Sequence, residues 1–181
     1  MRFTTIRQKL FASLFYVIPH HAISRVMFKL ARIRWKPLKN LIIRIYTYLH
    51  QVNMQEAVEE DMFAYESLNA FFTRALKPAC RPFDDNDKNW LCPVDGTVSQ
   101  ARAIKDGRVF QAKGHDFSLT ELLGGDNSMA GVFNRGIFST LYLSPRDYHR
   151  IHMPATGSLK KMLYIPGRLF SVAPATVNNI P

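Results

Sequence analysis

The sequence predicts an α+β fold, with amphipathic helices at the N-terminus followed by an antiparallel, hairpin-rich β core. Three observations carry this. Apolar residues recur at three- and four-residue spacing through the first fifty positions, which is the helical period. From Trp90 onward the texture changes to short apolar and β-branched runs punctuated by Gly and Pro. Asp106-Gly107 stands between two such runs, and this dipeptide suits a two-residue hairpin turn. A chain of 181 residues with 47% hydrophobic residues has enough apolar material for a real core. One domain with an appendage is the natural organisation.

The first helix is expected over Phe3, Ile6, Leu10, Phe11, Leu14, Phe15 and Ile18, ending near Pro19. Val26, Met27, Leu30 and Ile33 mark a second, running up to Trp35. Pro37 suits the first turn of a third, with Leu38, Leu41, Ile42, Ile45 and Leu49 on its apolar side. Asn53 and Glu56 form a capping pair that predicts another helix, and Ser67 caps a short one over Leu68 to Leu76. Lys77-Pro78 and Arg81-Pro82 break the pattern. The strand-like runs are Trp90 to Cys92, Thr97 to Ile104, Arg108 to Lys113, Ile137 to Leu143 and Leu159 to Ile165. One short helix interrupts them, with Ser118 and Glu121 as its capping box and Gly124-Gly125 as its stop.

Charge divides the chain more sharply than its total of +10 suggests. No acidic residue precedes Glu56, while ten basic residues lie between Arg2 and Arg44. The remaining residues hold 14 basic and 14 acidic side chains and are neutral. Residues 1–54 thus read as a basic helical module and 55–181 as a β-rich core. The longest run without Lys, Arg, Asp or Glu, Leu10 to Ser24, is fifteen residues and contains Pro19, short of the roughly 20 apolar residues a spanning helix needs. Basic residues continue past Ile18, through Arg25, Lys29, Arg32 and Arg34, which argues against a signal peptide. The wide aliphatic stripes are more hydrophobic than phosphate binding requires, which argues against nucleic acid. An interfacial membrane anchor, with Lys and Arg against anionic lipid, fits both stripe and charge. A helical subdomain packed on the core remains the plain alternative.

Cys80 and Cys92 have no CxxC partner, so neither a zinc ribbon nor a disulfide framework can be built. Two reduced thiols are the simpler reading, with a single disulfide left open. No Gly-rich phosphate loop and no internal repeat occurs.

Two motifs carry chemistry. Tyr142 to Pro154 packs His149 and His152 behind a turn signal, and Pro93-Val94-Asp95-Gly96 places a carboxylate in a tight turn. Ser144, Pro145 and Asp147 make a helix-start signature, so His149 is expected on a single helical turn with His152 returning near it. Structural, acid–base and metal-binding readings all fit the histidine pair, although no third or fourth ligand stands nearby. Asp95 by itself reads as a turn residue.

Phe71 to Leu76, Pro93 to Gly96, Gln111 to His115, Tyr142 to Pro154 and Pro166 to Val172 together fall in the order and spacing seen in phosphatidylserine decarboxylase proenzymes. The chain resembles the bacterial membrane-associated form from its first residue to its last. That resemblance implies a lyase whose pyruvoyl cofactor arises by self-cleavage. Asp95 would orient His152, and His152 would take the proton of a serine in a Leu-Gly-Ser-Thr segment, leaving a pyruvoyl cap on a smaller chain. His149 would be the acid–base group in decarboxylation; Tyr142, on its proximity in the sequence alone, is a candidate to lend a phenol to the pocket. The ketone stores the electrons released as CO2 leaves. The implied partners are phosphatidylserine, an anionic phospholipid membrane and the pyruvoyl-bearing smaller chain, with a homodimer left open and no nucleic acid or metal. The implied place is the bacterial cell membrane, peripheral, on its cytoplasmic side.

One departure is large: no Leu-Gly-Ser-Thr occurs among these residues. The only Gly-Ser pair, Gly157-Ser158, lies at the wrong place in the register and reads as a turn leading into a strand; Ser128 is a poorer candidate still. The expectation is therefore an N-terminal portion of such a proenzyme, incomplete at its C-terminus and inactive alone. The alternative is a non-catalytic peripheral membrane-binding module.

Overall fold

The computed structural model describes residues 19–84, 86, 88–110 and 116–167. The expected helix over Phe3 to Ile18, the end of the Arg108 to Lys113 run and the Gln111 to His115 block lie outside the described residues. So does all but the start of the Pro166 to Val172 block. The described chain is mixed α+β. Helix α1 spans His20–Leu30, α2 Lys36–His50 and α3 Leu68–Phe72, followed by a 3-10 turn at Pro78–Cys80. Strands β1 (Thr97–Ala103), β2 (Arg108–Phe110) and β3 (Asp116–Ser118) come next, then α4 (Leu119–Leu122), α5 (Asn127–Phe133) and β4 (Ile137–Tyr142).

Two compact units divide the chain. One comprises the described residues of Phe28–Ala101 and Ser139–Met162; the other holds the described residues of 1–27, Arg102–Phe138 and 163–181. In the first, α2 begins as expected with Pro37 in its first turn and ends on Gln51 in the left-handed conformation, φ 52°. It buries Ile43 completely against Phe71 and Val52, with Tyr46, Met54, Met62, Tyr65 and Leu68 packed around them. Phe71 meets the rings of Tyr46 and Tyr65 edge-on, at 6.2 and 5.6 Å. That geometry sets positive ring edge against negative ring face. Lys39 is buried in the same helix, yet its ammonium donates to the Phe63 carbonyl and to Asn40. Arg34 pairs with Glu66. Part of the basic N-terminal charge therefore has partners within the fold, Lys39 buried and Arg34 at the surface.

In the second unit, Ile104, Val109, Leu119 and Ala130 form a smaller core, joined by Leu123 and Phe138. Strands β2 and β3 pair antiparallel, with Val109 opposite Phe117. Ser118 caps α4 by accepting from the Glu121 amide, and Gly124 (φ 72°) follows as the predicted stop. Helix α5 is an element the sequence reading left out. Asp126 caps it through the Met129 amide.

Four expectations change. No helix follows Asn53: its side chain accepts from the Gln55 amide, closing a local turn that competes with helix initiation. The helix after Ser67 has its cap, the Ser67 hydroxyl accepting from Ala70, but stops at Phe72. The Asp106-Gly107 turn forms with both residues at positive φ, yet it closes a single bridge between Lys105 and Arg108. Strand β1 pairs with β4 and β2 with β3, so the hairpin does not extend. Trp90 to Cys92 and Leu159 to Ile165 are not strands, and in the latter Leu159, Met162 and Tyr164 are exposed. An apolar run becomes a strand only where a continuous backbone ladder holds it.

Candidate active site

The two chemical motifs are joined through their backbones. Leu91 N–H donates to the Pro154 carbonyl at 2.9 Å, and His152 N–H donates to the Pro93 carbonyl at 2.8 Å. The pairing is antiparallel in register, but Pro93 and Pro154 have no N–H to return the bonds. The ladder stops after two rungs, which also explains why Trp90 to Cys92 is not a regular strand. What the prolines leave is a short stitch that sets the Asp95 turn beside the His152 segment.

The Ser144 to His149 segment is fixed from below. Tyr46 donates its hydroxyl to the Pro145 carbonyl at 2.7 Å, and burial pushes this phenol's pKa up. Arg74 donates to the Arg146 carbonyl, and Arg150 donates to the Thr73 carbonyl. Arg74 is almost fully buried, and burial lowers its pKa. Here the expected helical turn is a single β-turn. The Asp147 amide donates to the Ser144 carbonyl, and the Ser144 amide returns a bond to the Asp147 carboxylate at 2.6 Å. His149 Nδ1 then bonds the Asp147 carbonyl at 2.9 Å, taking an acceptor that a continuing helix would need.

The histidines consequently have separate surroundings. His149 lies against the ring of Phe72, with centroids 4.0 Å apart. His152 stacks on Tyr148 at 5.5 Å, and its Nε2 shares a 2.9 Å hydrogen bond with the Tyr148 hydroxyl. Asp95, His152 and Tyr148 line one hollow of about 440 Å³, whose apolar walls include Leu76, Phe83, Leu91, Val94 and Met153. His149 is not in its wall. The Asp95 carboxylate is held by Arg81, whose Nε lies 2.8 and 2.9 Å from the two oxygens and whose Nη2 also reaches Asp95. These bonds raise the Arg81 pKa above the usual arginine range. No Asp95–His152 hydrogen bond is present among the described residues.

Tyr142 ends β4 beside the same turn. A Cβ on Gly96 would sit 2.7 Å from the Tyr142 carbonyl oxygen, so this position needs glycine for close approach. Tyr142 and Asp95 share a different hollow, of about 540 Å³, with Ser144 and Arg146. Of the predicted residues, Asp95 thus lines one hollow with His152 and another with Tyr142, while His149 lines neither. Arg81 and Tyr148 are the residues that sequence reasoning missed. Arg81 read only as a chain break before Pro82, while Tyr148 stood unremarked just before the first histidine.

Both cysteines are free, Cys80 donating to the Glu56 carbonyl and Cys92 to that of Val94. Among the described residues, no three His, Cys, Asp or Glu gather as a metal site. No helix among them is long and apolar enough to cross a membrane.

A family model described as phosphatidylserine decarboxylase matches residues 68–180, and a second, described as PSD, matches residues 10–47. A phosphatidylserine decarboxylase proenzyme of Bordetella avium is 52% identical over 177 residues, covering 98% of this chain and 60% of its own length. One from Alkalilimnicola ehrlichii is 54% identical over 170 residues, 94% of this chain and 59% of the relative. A third, from Pseudomonas putida, is 52% identical over 176 residues. The chain spans about 60% of the length of these relatives. The decarboxylase model covers more than half of the sequence and contains the stitched Asp95 and His152 motifs, and the chain belongs to the phosphatidylserine decarboxylase family.

Proposed function

We propose that these residues form the N-terminal, larger-chain portion of a proenzyme that converts phosphatidylserine to phosphatidylethanolamine and CO2. The observation that carries the reading is the backbone stitch placing Asp95 and His152 on one apolar-walled hollow. In self-cleavage, His152 accepts a hydroxyl proton at a ring nitrogen and Asp95 supplies the counter-charge to the imidazolium. The serine that loses this proton belongs to a Leu-Gly-Ser-Thr segment that the 181 residues do not contain.

The pyruvoyl group that family membership implies would supply a ketone able to store the electron pair freed with CO2. The residues present fit such a group: the hollow is mostly apolar, with hydrogen-bonding side chains along part of its wall. His152 and Tyr148 would hold it. His149 is assigned the proton exchange of decarboxylation and Tyr142 a supporting phenol. A homodimer is compatible with this reading.

Helix α1 leaves Ile23, Val26, Met27, Phe28 and Leu30 exposed, with Arg25 and Lys29 also at the surface. The stripe of Ile23, Val26, Met27 and Leu30 with its basic neighbours supports peripheral binding to anionic lipid; the cytoplasmic side of a bacterial cell membrane belongs to the same reading as a further proposal. A non-catalytic membrane module remains the second reading, supported by this same face. Release of CO2 from phosphatidylserine by the full-length proenzyme carrying these residues tests the first. A protein that self-cleaves and binds phosphatidylserine vesicles, yet releases no CO2, would refute it.

A further inference from the structure

We infer that Arg81 is the positioning residue of the self-cleavage site, fixing the Asp95 carboxylate as a two-oxygen clamp; this rests on the role proposed above for Asp95. Asp95 sits on an irregular turn with its side chain about one quarter exposed, so its own segment does little to fix its rotamer. Arg81 does so from outside the turn. Its Nε faces both carboxylate oxygens at 2.8 and 2.9 Å, Nη2 reaches Asp95 and also Glu56 at 3.0 Å, and Nη1 donates to the Cys80 carbonyl at 2.7 Å. Every nitrogen of the guanidinium is engaged.

The clamp is anchored at its far end. Glu56 precedes the fully buried Ala57, which bridges to Leu76, and the Glu56 carbonyl accepts from the Lys77 amide. Position therefore passes from a buried backbone bridge through Glu56 and Arg81 to Asp95. A carboxylate offers about four lone-pair sites, so Arg81 leaves capacity for an imidazole N–H. A planar fork can hold two oxygens at once, whereas a lysine ammonium is a point charge.

The test is the self-cleavage rate of the full-length proenzyme carrying these residues, followed on denaturing gels. Arg81→Ala should slow cleavage by about 10- to 100-fold, the scale of a misplaced catalytic group. Arg81→Lys should recover only part of the rate. Added guanidinium chloride should partly rescue the Ala variant, equal sodium chloride should not, and Asp95→Asn should be blocked with or without guanidinium. Parental cleavage by Arg81→Ala, with Asp95→Asn blocked, would overturn this inference and leave the proposed function standing. A slow Ala variant that neither Lys nor guanidinium improves would reduce Arg81 to fold support and also overturn it. Parental cleavage by Asp95→Asn would instead remove the role of Asp95 on which both readings rest.

Discussion

The Tyr148 hydroxyl and His152 Nε2 lie 2.9 Å apart, and the two rings stack within 5.5 Å. Tyr148 is buried while His152 is exposed, so the phenol is the fixed partner and the imidazole the guided one. Tyr148→Phe keeps the stack and loses the bond. A typical hydrogen bond contributes about 1 kcal/mol, equivalent to roughly fivefold in rate. Self-cleavage of the full-length proenzyme should slow by about that factor, measured by gel densitometry. A loss as severe as that of His152→Ala would mean that Tyr148 does more than guide the ring.

His152→Ala and Asp95→Asn should block self-cleavage. The first removes the base. The second removes the charge that stabilises the imidazolium, a change that costs about 10⁴-fold in a serine-protease triad. His149→Ala should behave differently, because its imidazole lies against Phe72 and outside the Asp95 hollow. It should still yield two bands on a gel while releasing CO2 poorly. Equal cleavage defects in both histidine variants would merge roles assigned separately here.

Phe71 is fully buried in the core that also packs Tyr46, the donor to the Pro145 carbonyl. Phe71→Ala should destabilise this unit by about 3–5 kcal/mol, the usual cost of a large-to-small change at an aromatic core site. Denaturant unfolding measures it. A cost near 1 kcal/mol would mean that Tyr46 and Tyr65 collapse into the space.

What the sequence made legible tracks the range of the interactions involved. Ser67, Ser118 and Pro37 act within their own turns, and each stands where local reasoning puts it. The Asp106-Gly107 turn was legible for the same reason, but which strands pair is a long-range matter that no dipeptide decides. The failed Asn53 helix shows the ambiguity of an Asx residue, whose side chain closes a turn as readily as it caps a helix. At the site, the motif residues were visible as motifs. Arg81 was not, because its meaning depends on Asp95 and Glu56, fourteen and twenty-five positions away.

The exposed apolar face of α1 should draw the protein to anionic vesicles with a marked salt dependence. Each basic residue near an anionic surface contributes about 1 kcal/mol. Replacing Arg25 and Lys29 with Gln should therefore weaken binding by about 2 kcal/mol, or roughly 30-fold, in a sedimentation assay. Met27→Ser, a neutral change on the Ile23, Val26, Met27 and Leu30 stripe, should weaken it at every salt concentration, because the apolar contribution is not screened. Equal binding to neutral and anionic vesicles would remove the electrostatic part of the reading.

The 181 residues expressed by themselves should remain uncleaved and release no CO2 from phosphatidylserine. Self-cleavage needs a serine hydroxyl against the Asp95–His152 pair, and the only Gly-Ser in the sequence is Gly157-Ser158. That pair lies in exposed, irregular chain, and the strand expected after it does not form. Without an ester there is no elimination, hence no ketone, and the electron pair left by CO2 has nowhere to delocalise. Acid–base groups alone cannot replace that sink. Intact mass spectrometry should show one species at the sequence mass, apart from start-Met processing. A blocked fragment beginning at position 158 would overturn this, and would make Gly157-Ser158 the processing site.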